Sequence, residues 1–234
     1  MISTLNQLVT TDLALLTITI ALFVAGGALH RRTHFMLLHP VLLTFVAMII
    51  ILQLAKIPYA RYMEATKMLD FALGMSVVSL GYLLYEQSEK LGRNLLPILC
   101  STLAGCVAGV LSVVWIAALL GADRVILNSI APKSVTVPIA ITISGPLGGI
   151  VSITSVVVFC VGIFGAIFGP RILALGRVRT PEAIGFALGA ASHGIGTSRA
   201  VELGAVQGAM SGLAMALMGV ATALLTPLLE QYLY

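Results

Sequence analysis

The sequence predicts an all-α polytopic membrane protein, with about six transmembrane helices and two re-entrant or discontinuous segments, forming a single domain over residues 1–234. Three observations predict it. The chain is 59% hydrophobic and only 9% charged, whereas an ordinary soluble domain carries about 25% charged residues. So few charges cannot cover a globule of this size. Several apolar runs reach the roughly 20 residues that a helix needs to cross the hydrocarbon core. Backbone in lipid must be satisfied internally, by helices or a closed barrel, and the runs are unbroken rather than alternating, which excludes a barrel. Finally, two further apolar stretches are interrupted by proline, glycine and charge.

The elements follow in order. The first span runs from Asp12 to Leu29, with His30, Arg31 and Arg32 behind it. It lacks a basic leader and a small-residue cleavage site, so it is expected to remain as a helix. The second span is Phe35 to Leu54, followed by an amphipathic stretch from Lys56 to Asp70. The third apolar run is Phe71 to Tyr85, and a polar loop, Gln87 to Asn94, carries Lys90 and Arg93. The remaining spans are Leu95–Leu120, Leu147–Phe168 and Gly208–Leu229.

The interrupted stretches are Ser129–Leu147, SIAPKSVTVPIAITISGPL, and Pro181–Gln207, PEAIGFALGAASHGIGTSRAVELGAVQ. Proline removes a backbone donor and breaks a helix, and each glycine weakens one by about 1 kcal/mol relative to alanine. Non-helical backbone at membrane depth persists only inside protein or beside a watery cavity. Basic loops mark the cytoplasmic side, which places Arg31 and Arg32, Lys90 and Arg93, and the loop of Arg171, Arg177 and Arg179 there. The first interrupted stretch then enters from outside and returns. The second enters from the cytoplasm and returns, and both chain termini lie outside. Each unit is a broken hairpin followed by a full helix. At an offset of 60 residues Lys133 meets His193 and Gly148 meets Gly208; identity at that offset is near chance, so the repeat rests on topology. Inverted repeats with broken helices meeting at the midplane are transporter-like.

The candidate site residues lie in those stretches. Lys133 stands among Pro132, Ser134, Thr136 and Pro138. An ammonium at membrane depth costs roughly 2.5–3.5 kcal/mol on insertion scales, so it needs an anion, a carboxylate or carbonyls as partner; otherwise it snorkels to the outer surface. With hydroxyls beside it and helix N-termini nearby, it suits a small carboxylate substrate. The second cluster holds Ser192, His193, Gly194, Gly196, Thr197, Ser198 and Arg199, with Glu202 next. Glycines admit a ligand close to the backbone. His193 can change charge near neutral pH. Arg199 can bind a carboxylate with both arms of its guanidinium, or pair with Glu202 one helical turn away. His193, Glu202 and Asp70 are candidate coupling groups.

Other features carry less. The pairs Gly105/Gly109 and Gly185/Gly189 and the series Gly204/Gly208/Gly212 are small-residue faces that suggest close helix packing. The three cysteines, Cys100, Cys106 and Cys160, lie in apolar runs and read as small buried hydrophobes. Trp115, Tyr232 and Tyr234 fit interfacial positions. The net charge of +4 is explained by basic cytoplasmic loops. There is no P-loop, catalytic serine motif or metal constellation, so no enzyme activity, cofactor, metal or nucleic-acid partner is expected. The expected partners are the lipid bilayer, a small carboxylate and other copies in an oligomer.

The stretch Ala187-Leu-Gly-Ala-Ala-Ser-His-Gly-Ile-Gly-Thr-Ser-Arg-Ala200 resembles the LrgB/CidB family of bacterial membrane proteins. Ala131-Pro-Lys-Ser-Val-Thr-Val-Pro-Ile-Ala140 matches that family's other recurrent motif, and Tyr82-Leu-Leu-Tyr-Glu-Gln87 and Gly145-Pro-Leu-Gly-Gly149 also look familial. The resemblance covers nearly the whole chain. It implies a multi-pass protein of the bacterial inner membrane working with a small LrgA/CidA-type membrane subunit. It also implies two alternative functions. One is holin/antiholin-like regulation of murein hydrolase activity and autolysis. The other is movement of small monocarboxylates, since plastid relatives are glycolate/glycerate translocators and some bacterial relatives take up pyruvate.

Overall fold

The computed structural model describes residues 11–33, 38, 40–69, 71, 72, 75, 78, 82, 85 and 95–233. The described regular structure is all helical, with no strand. Four helices are long and apolar enough to cross a membrane: Asp12–Thr33, Leu95–Leu119, Val151–Leu175 and Ala205–Gln231. Large apolar side chains point outward from them, among them Leu96, Trp115 and Ile116, and Phe164 and Ile172. Water would not tolerate so much exposed hydrocarbon; this is a membrane protein. Most of the third apolar run, the polar loop with Lys90 and Arg93, and Asp70 lie outside the described residues.

The chain divides into two compact units, Met1–Met75 and Ser76–Tyr234. In the first, α1 (Asp12–Thr33) packs on α2 (Pro40–Leu54). The described part of the second expected span is thus 15 residues long. The amphipathic stretch contains a short helix, α3 (Tyr59–Ala65), reached through a left-handed turn at Lys56. Leu15 of α1 is fully buried with Ile57 and Ala65, and an ion pair joins Arg61 to Asp12 at 2.6 Å.

The second unit begins with α4 (Leu95–Leu119). A tight turn then leads into α5 (Arg124–Ile130), capped by Asp123, whose Oδ1 accepts from the Ile126 N–H at 2.8 Å. Successive turns carry the chain to α6 (Val137–Ser144), which starts at a proline-bearing first turn. Next come α7 (Val151–Leu175), α8 (Pro181–Leu203) and α9 (Ala205–Leu233). Three expected boundaries are corrected. The first interrupted stretch begins at Arg124 rather than Ser129, because the arm before the prolines is itself regular helix. The following span starts at Val151 rather than Leu147 and runs past Phe168 to Leu175, with Pro170 and Arg171 inside it. The last span starts at Ala205, directly after the turn at Gly204.

Both interrupted stretches are hairpins. In the first, the chain after α6 returns to the level of α5: Asn128 Nδ2 donates to the Leu147 carbonyl at 2.6 Å, and Ile150 N–H donates to Ser129 Oγ at 2.7 Å. Thr154 of α7 donates to Ser144 Oγ at 2.8 Å. These bonds satisfy the polar groups at the base of the hairpin, which are all buried. In the second, α8 folds back on itself at His193, where the backbone leaves helical geometry at φ 42°, ψ −134°. A Cβ on Gly196 would lie 2.6 Å from the carbonyl oxygen of Leu188, eight residues earlier. In a straight helix those positions are about 12 Å apart. Arm 181–192 runs parallel to α9, with Gly185 against Gln207 and Gly189 against Ser211. Arm 194–203 runs antiparallel to α9, with Thr197 at Ser211 and Gly208 at Val201.

Helix α7 ties the hairpins together. Gly169, Gly165 and Gly162 face Leu188, Ser192 and His193 in turn, so α7 and the first arm of α8 are antiparallel. Val158 packs with Ala131, Val135 and Ala140 around the turn of the first hairpin. Its carbonyl oxygen lies 2.9 Å from His193 Nε2 at the turn of the second. Both turns therefore reach the level of Val158, about 12 Å along α7 at 1.5 Å per residue.

Candidate functional site

A cavity of about 1240 Å³ opens within the second unit. Its walls come from α4, the first arm of α8 and the first turns of α9, with Leu173 and Val178 at the end of α7. Lys133 and Ser134, from the turn of the first hairpin, line it deep between these helices. The proline-bounded sequence explains why they stand there. Pro132 ends the regular part of the first arm, and Thr136, extended at ψ 150°, opens the second. The residues between cross from one arm to the other with their side chains free of a helix ladder.

Lys133 is half-buried, and its Nζ donates to Ser134 Oγ at 3.1 Å. No ion pair of Lys133 is present among the described residues, and the other charged residue lining the cavity is Glu182, exposed in the first turn of α8. The rest of the wall is mainly alanine, glycine and larger apolar residues. A single ammonium held by a neutral hydroxyl in an apolar recess can accept one carboxylate through charge-assisted hydrogen bonds, stronger than neutral ones.

The structure places the other sequence-predicted residues differently. Thr136 is half-buried, and its Oγ1 has no hydrogen-bond partner. Ser192 and His193 are buried against α7; the ring of His193 fills the space left by Gly162, where a Cβ would lie 2.7 Å from its Cε1. Gly196 is packed between the two arms, and Gly194 is half-buried near Met215. Thr197 Oγ1 donates to the His193 carbonyl at 2.8 Å and lies 2.9 Å from Ser211 Oγ. Ser198 is exposed and donates to the Gly194 carbonyl at 3.1 Å. Arg199 Nη1 pairs with Glu202 Oε2 at 2.6 Å, the local partnership one turn away, while its Nε is buried without a partner. Of the ten expected binding residues, Lys133 and Ser134 line the cavity; the neighbours of the second cluster that do so are Ala187, Ala190 and Ala191.

Sequence reasoning missed the wall formed by α4. Ser101, Gly105 and Gly109 line the cavity. A Cβ on Gly105 would meet only Met218 Sδ, at 3.9 Å, and one on Gly109 only Ser134 Oγ, at 3.6 Å. The close-packing expectation for this pair is corrected: its face is open. The available signal was the serine one turn before the glycines, on the same face. By contrast Gly185 and Gly189 do pack closely, since a Cβ on either would overlap the backbone of α9. Among the cysteines only Cys106 is buried; Cys100 and Cys160 are exposed, because a lipid-facing position is as apolar as a core one.

Comparison with known proteins adds a family context. The model of the LrgB-like family matches residues 19–232. A Bacillus subtilis protein, YxaC, is 37% identical over 92% of this chain and 93% of its own length. The holin-like protein CidB of Staphylococcus epidermidis is 30% identical over 94% and 96% of the two chains. The antiholin-like protein LrgB of Bacillus cereus is 31% identical over 85% and 86%. No solved structure matches the chain.

Proposed function

This chain belongs to the LrgB-like family, and from that premise we propose that it transports small monocarboxylates, of the glycolate, glycerate and pyruvate class, across the bacterial inner membrane by alternating access. The observation that carries the reading is Lys133 with Ser134 deep in a cavity between helices. Uncompensated positive charge in such a place is expensive unless it serves a ligand. Two hairpins whose turns reach one level along α7 support an inverted-repeat, six-span arrangement with re-entrant segments. In this reading Lys133 neutralises the carboxylate, and Ser134 and Thr136 add hydrogen bonds. The second hairpin closes the site from the other side: Ser192, Gly194, Gly196, Thr197 and Ser198 shape its turn, and Arg199 exchanges Glu202 for substrate. His193, Glu202 and Asp70 link binding to the coupling ion. A small LrgA/CidA-type subunit completes the transporter.

The holin-like and antiholin-like names of the relatives favour a second reading, regulation of murein hydrolase activity and autolysis. One experiment separates the two. Uptake of labelled pyruvate, glycolate and glycerate is measured in vesicles containing the chain and its small partner, together with autolysis of cells carrying the same alleles. The transport reading expects uptake by the parent and a ten- to hundredfold loss of affinity in Lys133→Ala, from about 1.5–3 kcal/mol for a charge-assisted bond. No uptake of any of the three, with autolysis restored equally by parent and Lys133→Ala, would leave the regulatory reading alone.

A further inference from the structure

We propose that the open face of α4, Ser101, Gly105 and Gly109, selects the substrate's tail, so that the cavity prefers a monocarboxylate with an unsubstituted carbon chain of a few carbons over a hydroxylated acid of the same length. The inference rests on Lys133 as the carboxylate's partner and goes on to what the rest of the molecule meets.

Charge sets the first limit. Lys133 is the cation lining the cavity, and the other charge there is an acid, Glu182. One carboxylate is neutralised; a second would lie in an apolar recess uncompensated, so dicarboxylates are refused. The walls set the second limit. A carboxylate on Lys133 and Ser134 has Gly109 beside it, because a Cβ there would touch Ser134 Oγ at 3.6 Å. Away from that point the walls are Gly105, Ala187, Ala190 and Ala191. Helical glycine and alanine offer no hydrogen-bonding side chain. Each methylene placed against them gains roughly three- to fourfold in affinity. A hydroxyl left without a partner forfeits about tenfold or more. The volume, about 1240 Å³, exceeds what a two- or three-carbon acid fills, so there is room for the chain to lengthen.

Space at the glycines makes the test clean. A methyl on Gly105 or Gly109 enters ordinary van der Waals contact and nothing closer, so neither substitution disturbs folding through a clash. With Cys100, Cys106 and Cys160 replaced by alanine, Gly105→Cys carries a single thiol on the cavity wall. Its modification by a small thiol reagent is followed in the presence of acetate, propionate, butyrate, valerate, glycolate, glycerate or succinate. In parallel, the same acids compete with labelled pyruvate for uptake by the parent and by Gly109→Ala. Protection and competition should strengthen about three- to fourfold per carbon up to a limit, with glycerate at least tenfold weaker than butyrate and succinate without effect. Gly109→Ala should lower that length limit by about one carbon while pyruvate uptake persists. Equal potency of all chain lengths, or glycerate as potent as butyrate, overturns the inference while transport stands. Graded protection without uptake of any acid upholds the selectivity and removes the transport reading. No protection by any acid removes both.

Discussion

His193 stands in a conformation that glycine enters freely and other residues seldom do, at φ 42°. Such backbone costs about 1–3 kcal/mol and persists only where surroundings over-determine it. Here they do: the ring nitrogen meets the Val158 carbonyl at 2.9 Å, and the ring occupies the gap that Gly162 leaves in α7. This reverses a familiar ranking. Within a helix, alanine is better than glycine by about 1 kcal/mol. At position 193 alanine keeps the strain and loses the bond, whereas glycine loses the bond and relieves the strain. His193→Gly should therefore melt above His193→Ala in detergent, by an amount corresponding to about 1 kcal/mol or more; the opposite order would mean that the turn is not strained. The chemistry of this residue was legible in the sequence, since a histidine amid Gly and Ser in an apolar chain stands out. Its role as the turn of a hairpin was not, because nothing local distinguishes a kink from a reversal; contact between Gly196 and Leu188 decides that.

At the scale of elements, the two hairpins are held differently. The first is anchored at its base by hydrogen bonds through Asn128, Ser129 and Ser144, and Arg124 in its opening turn pairs with Glu230 near the end of α9. The second is anchored along its length by glycines that bring its backbone against that of α9. Gly189→Ala should drive its methyl into the Ser211 carbonyl, separate α8 from α9 and lower stability by about 1–3 kcal/mol, the usual cost of overpacking. Gly212→Ala, which meets nothing within 4 Å, is the matched control, and thermal unfolding of both in detergent checks the contrast. Equal melting temperatures would contradict this packing. The sequence revealed both hairpins through their prolines and glycines. It hid the first arm of the first hairpin, Arg124–Ile130, because seven apolar-rich residues without a breaker carry no sign of where a hairpin starts. It likewise hid the continuation of α7 through Pro170, where helix persists despite the missing donor.

Across the second unit, chain direction fixes which connections share an end. Helices α4 and α9 run the same way, Ile98 lying with Leu213 and Cys106 with Thr222. Helix α7 runs against the first arm of α8. The turn after α6 therefore belongs to one end, and the turns after α7 and α8 to the other. Single cysteines at Pro146, Arg179 and Leu203, all exposed, test this in intact cells freed of native thiols. Arg179→Cys and Leu203→Cys should label from one side of the membrane and Pro146→Cys from the other. Labelling of Leu203→Cys together with Pro146→Cys would mean that α8 crosses fully. The cavity opens toward the end that holds Val178 and Glu182 and extends along α8 to Ala191, about 14 Å at 1.5 Å per residue. A water-filled recess of that depth conducts, so an applied voltage does not fall along it. In a hydrocarbon layer about 30 Å thick, the whole drop is compressed into the remaining half, and the local field roughly doubles. Lys133 lies where that compressed field begins. A charge carried past it does work against nearly the full membrane potential, about 2.3 kcal/mol per 100 mV, within a few turns of helix, which makes the first hairpin an electrical as well as a chemical barrier.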